Sequence, residues 1–121
     1  KTSDNPLFIV QYAHARTQQL KAKSKIKNID TSNLNYQTTE YTLINLMNKF
    51  PEFVVQIAEN YKVHLLTQYL IDLSREYNSF YSNCKIIDTE RENELLCLSL
   101  ACGNILKSGL KLLGISAPER M

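Results

Sequence analysis

The stretch from Val63 to Ile86 constrains this chain most, because its apolar residues return every three or four positions along its whole length. Leu66, Tyr69, Leu70, Leu73, Tyr77, Phe80, Tyr81 and Cys84 would lie along one side of an α-helix, whereas a strand needs period two. Little interrupts such patterns. The 121 residues hold only 3 Gly and 3 Pro, and every glycine comes after position 102. With so little punctuation the chain favours long helices over many short strands. One domain of this length, residues 1–121, buries a core without staples.

The same reading places the other helices. Asp4-Asn5-Pro6 offers a capping residue and then Pro at a first helical position. Leu7, Val10, Ala13 and Leu20, with Phe8, Tyr12 and Ala15 beside them, predict a helix to about Ile26. Residues 28–38, NIDTSNLNYQT, read as a loop and as the one candidate for a flexible segment. Thr38 or Thr39 then caps a short helix through about Lys49. Phe50-Pro51 breaks it, because a residue before proline avoids the α region. Pro51 opens another short helix to about Asn60. Thr89-Glu90-Arg91-Glu92 fits a capping box for a helix through Leu113, with Gly114 past its end and Pro118 beyond. The prediction is an all-α bundle of five helices without internal repeats. Helices 63–86 and 89–113 are expected to form a long antiparallel pair. Leu66, Leu70, Leu73, Leu96, Leu100, Leu106 and Leu113 should supply most of its core.

Chemistry is sparse. A net charge of +2 permits an acidic partner without demanding one. Cys84, Cys97 and Cys102 lack CxxC spacing, and Cys97 and Cys102 read as buried thiols of a cytosolic protein. No apolar stretch is read as approaching the ~20 residues that span a bilayer. Neither His14 nor His64 has a metal-ligand partner at HExxH-like spacing, and neither a GxSxG turn nor a Gly-rich phosphate loop occurs. The sequence argues against an autonomous enzyme.

What remains is QYAHAR, residues 11–16. Tyr12 and Arg16 stand four apart and so share a helix face. A phenol ring beside a guanidinium can stack on an unpaired base and bond its edge or phosphate. Tyr81 and Lys85 repeat that spacing. A half-buried core tyrosine with a solvated cation beside it fits the same spacing, which does not choose between the two. His14 and Gln11 read as braces behind the helix, and Tyr61, Tyr69 and Tyr77 as core. Lys21, Lys23, Lys25 and Lys27 alternate at spacing two, scattering around a helix, and read as a solvated helix end.

Three motifs carry a resemblance to a known family. DNPLFIVQYAHAR resembles the segment that joins the catalytic part of bacterial arginyl-tRNA synthetases to their C-terminal domain. LTQYLIDLSREYNSFYSNCKI is similar to the long helix of that domain, and GLKLLGISAPERM to the way those enzymes end. The motifs come in the expected order and span nearly the whole chain. The resemblance implies a C-terminal anticodon-binding domain of the DALR type, the five-helix bundle of class Ia aminoacyl-tRNA synthetases. Residues 1–27 would include the junction helix, with a KMSKS-type motif upstream of Lys1.

The implied function is recognition of an arginine tRNA through its anticodon loop, whose middle base is cytosine, within an arginine–tRNA ligase. That enzyme attaches arginine to tRNA with ATP and Mg, whose sites would lie outside this chain, so no cofactor is expected here. The implied protein is a cytoplasmic monomer without membrane contact, and this domain's other partner is the catalytic domain of the same chain. Matched residue by residue, the resemblance makes Tyr12 and Arg16 anticodon-loop contacts, Tyr81 a stacking platform and Lys85 a phosphate contact. Met121 would lay its thioether on a base, and Ser3–Pro6 would belong to a loop near the anticodon. The competing expectation is an α-helical protein-interaction domain whose exposed aromatic faces bind a partner helix.

Overall fold

A computed structural model describes residues 5–121. Five helices follow one another: α1 (Phe8–Lys23), α2 (Thr38–Met47), α3 (Phe50–Asn60), α4 (Val63–Asn83) and α5 (Glu92–Leu112). No strand occurs among the described residues.

Local chemistry sets the ends. The Asn5 side chain accepts the Leu7 N–H at 2.9 Å, while Asp4, the other candidate cap, lies outside the described residues. α1 stops at Lys23, short of Ile26, because Ser24 is extended and its hydroxyl donates to the Glu92 carboxylate at 2.6 Å. Gln37, not a threonine, precedes α2, and Glu40 reaches back to accept the Gln37 N–H at 2.9 Å. The capping box expected at Thr89 does not form. The Thr89 hydroxyl donates to the Ile86 carbonyl, and the Glu92 carboxylate accepts the N–H of Asp88 instead. At the far end of α5, the N–H of Ile115 reaches the Leu110 carbonyl and that of Gly114 the Lys111 carbonyl. Gly114 supplies the left-handed turn this closure requires, at φ 74°.

The core draws on four helices. α3 buries no residue fully; its Phe50, Phe53 and Ile57 rest half-buried on the outside of that core. The expected five-helix bundle is therefore a four-helix core with α3 laid against it. Leu66, Leu70, Leu73, Leu96 and Leu106 are buried as anticipated, but Leu100 and Leu113 are half-buried. Tyr69 and Tyr77 are buried, whereas Tyr61 takes the left-handed position that ends α3 and is 84% exposed. Cys102 is sealed in the core, where burial pushes its thiol pKa up, and Cys97 is half-buried.

Pairing differs from the expectation as well. α5 packs most extensively along α1, not α4. Small residues allow it: a Cβ on Gly103 would stand 2.3 Å from the Thr17 hydroxyl oxygen. On the α4 side, a Cβ on Gly109 would stand 2.5 Å from Leu70 Cδ2. α5 is thus gripped from two sides at positions where only glycine fits. By length and apolar content alone α5 could cross a bilayer, contrary to the sequence reading, but half of it is buried in this bundle.

The loop predicted to be flexible is fastened to the start of α5. Asp30 and Asn93 exchange two hydrogen bonds of 2.8 Å, and the Tyr36 hydroxyl donates to the Glu94 carbonyl. Arg91 donates to the Asn35 carbonyl and, with both terminal nitrogens, to the Glu40 carboxylate at 2.6 Å each. Glu40 is 2% exposed, and the guanidinium beside it holds its carboxyl below the usual carboxylate range.

Candidate nucleic-acid interface

α1 and α4 lie side by side, and their facing residues build one cluster. The guanidinium carbon of Arg16 sits 4.8 Å from the ring centre of Tyr12 and 4.5 Å from that of Tyr81. One terminal nitrogen donates to the Tyr12 hydroxyl at 2.8 Å and the other to Asn78 Oδ1 at 3.1 Å. Phe8 stacks beyond Tyr12 at 6.3 Å, and buried Tyr77 supports Tyr81 at 6.2 Å. Tyr12 stays 37% exposed, and Arg16 and Tyr81 are half-buried. Among the described residues no carboxylate pairs with Arg16. The result is an accessible stack of planar groups around an uncompensated positive charge.

QYAHAR therefore divides its labour around the helix. Ala13 and Ala15 are buried and let neighbours approach. Gln11 and His14 point towards the C-terminal tail. Gln11 donates to the Ser116 carbonyl at 3.0 Å, and His14 Nδ1 to the Pro118 carbonyl at 3.0 Å, which requires the proton on Nδ1. Thr17 closes that side by donating to the His14 carbonyl at 2.7 Å.

Of the five residues singled out in the sequence, Tyr12, Arg16 and Tyr81 come together. Lys85 does not keep its helical spacing to Tyr81, because α4 ends at Asn83 and Lys85 lies exposed in the link that follows. The cation over Tyr81 comes from α1 instead. Met121 lies further along α1, 46% exposed, in a cleft beside Gln18 and Ala22. Asn78 was missed. Its only sequence signal is its position three residues before Tyr81, on the same face of α4.

The all-helical bundle thus presents a cationic aromatic cluster on an open face. The family model for the DALR anticodon binding domain matches residues 10–121, and the chain belongs to that family. Its relatives include the arginine–tRNA ligase of Mesomycoplasma hyopneumoniae (strain 7448), 48% identical over 97% of this chain and 22% of the relative. That of Mycoplasma mobile is 45% identical over 100% of this chain and 23% of the relative. Among solved structures, the arginyl-tRNA synthetase of Thermus thermophilus superposes with a TM-score of 0.78 at 34% identity, covering 93% of this chain and 20% of that one. The Plasmodium falciparum enzyme gives 0.83 at 30% identity, over 93% and 21%. The chain spans about a fifth of the length of the curated relatives it matches.

Proposed function

We propose that this domain recognises the anticodon loop of an arginine tRNA as part of an arginine–tRNA ligase. The observation that carries the reading is Arg16 held between Tyr12 and Tyr81 on an accessible face without a carboxylate to neutralise it. A guanidinium and a base are both planar, so an anticodon base can take the guanidinium's place against one ring. Arg16 then turns its fork to the base edge or a phosphate, a bidentate geometry that lysine cannot reproduce. Lys85 meets a backbone phosphate, and the Met121 thioether lies on a further base. The exposed Asn5–Pro6 lead into α1 would meet the loop as well; Ser3 and Asp4 lie outside the described residues.

In the intact ligase the catalytic part of the same chain supplies the sites for ATP with Mg and for arginine, and docking of the loop places the tRNA's acceptor end over them. This chain's residues hold and orient RNA and take no part in the bond-making step. The enzyme so composed is a cytoplasmic monomer. The test is binding of the 121-residue chain to an anticodon stem-loop with cytosine at the middle position, compared with loops changed at that base. Affinity should fall on changing the base and fall steeply with salt through counterion release. Equal affinity for all loops, or salt-insensitive binding, would sink the reading in favour of apolar docking to a protein.

A further inference from the structure

We propose that the cleft between the end of α1 and the C-terminal tail is a phosphate track for the RNA strand whose bases meet Tyr12 and Tyr81. It rests on the proposed function and adds to it a second, base-independent site. The cleft has a volume of about 870 Å³ and is lined by Lys21, Lys23, Lys27, Arg120, Glu119 and Met121. The whole chain carries a net charge of only +2, yet four cations against the Glu119 side chain and the terminal carboxylate of Met121 still leave a positive excess here.

The early end of α1 assembles the site. On a helix continued to Ile26, lysines at spacing two would scatter, and Lys27 would stand ~9 Å along the axis from Lys21. Ser24 instead leaves the helix in an extended conformation, tied to Glu92. The chain turns there, Lys27 comes back to the cleft with Lys21 and Lys23, and Lys25 does not line it. The opposite wall is the tail, fixed by its two hydrogen bonds to Gln11 and His14.

Charge and position then identify the ligand. The carbonyl end of α1 carries partial negative charge, so an anion bound here is held by the side chains alone. Among the described residues none of the four cations is in an ion pair. Gln19, also in the cleft wall, follows Arg16 by one helical turn on the same side of α1. A strand leaving the aromatic cluster along α1 therefore enters the cleft, and what it brings past the bases is phosphate.

The experiment measures affinity of the 121-residue chain for the anticodon stem-loop across a salt series, with Lys23→Gln and Lys27→Gln combined. The slope of log affinity against log salt should flatten by roughly 1.4–1.8, with discrimination at the middle base and melting temperature unchanged. Lys25→Gln, which removes a neighbouring charge outside the cleft, should leave the slope where it was. An unchanged slope in the double variant with base discrimination intact would overturn the track alone. An equal flattening by Lys25→Gln would also overturn it, by showing an effect of net charge. If the unsubstituted chain binds no loop at all, the track falls together with the function it rests on.

Discussion

Arg91 and Arg16 are both half-buried arginines between helical elements, and they are held in opposite ways. Arg91 puts two nitrogens on the sealed carboxylate of Glu40, so its charge is matched and its geometry fixed. Arg16 is held by neutral acceptors and two rings, with its charge left uncompensated on an open face. The first arrangement closes the fold. The second keeps a cation in place while leaving it available, as a binding site requires and a structural brace does not.

Breaking the closed arrangement should have the largest effect. Arg91→Ala leaves Glu40 buried without its partner and should cost ~3–5 kcal/mol of stability, measured by urea unfolding. A loss under about 1 kcal/mol would mean that the pair does not fasten the loop. Acid should act on the same contact. Glu40's carboxyl is held below its ordinary range by the hydrogen bonds from Arg91, so its stabilisation is complete above the unfolded value of ~4.3. It is lost as pH falls through the lower folded value. Melting temperature should therefore drop below about pH 4.3, and Glu40→Gln should flatten that limb.

The open arrangement should respond in binding more than in folding. Tyr12→Ala or Tyr81→Ala should lose ~1–3 kcal/mol of stem-loop affinity, and Tyr12→Ala should barely move the melting temperature. Arg16→Lys keeps the charge but loses the planar fork, and should weaken binding by about 1 kcal/mol with the fold unchanged; full affinity in that variant would rule out a bidentate contact. Smallest of all, Lys85→Ala should reduce the salt slope by about one for every loop sequence. A change in base preference there would assign Lys85 a base instead.

The two arginines also mark how far the sequence could be read. Helices were legible because their period repeats over many residues, and the long apolar run at Leu66–Phe80 forms the face it predicts. Local spacing also brought out Tyr12 and Arg16. It failed at Tyr81 and Lys85, where the helix ends between the two partners. Contacts far apart in sequence left no trace in periodicity: Arg91 meets Glu40 51 residues away, and Asn78 meets Arg16 across 62. Gly103 and Gly109 look from sequence like weak points in a helix, yet Thr17 of α1 and Leu70 of α4 occupy the space a side chain there would need. That complementarity decides which helix pairs with which, and it belongs to two surfaces at once. Tyr61 read as core because tyrosines on amphipathic segments usually are, but it ends its helix in the left-handed conformation and points to solvent.

The seating of Arg16 also sets an equilibrium cost for any planar ligand. Between the two rings the guanidinium acts as an internal competitor for the space a base would enter. Each cation–π contact at an accessible site is worth ~0.5–1 kcal/mol, so clearing one ring costs an arriving base about that much. Apparent affinity is lowered by the fraction of molecules with the space open, here by roughly two- to five-fold. A base that stacks and also engages the displaced fork regains that loss, whereas a planar group that only stacks does not. On the proposed function, the cluster thereby favours a ligand that engages the displaced fork over one that only stacks.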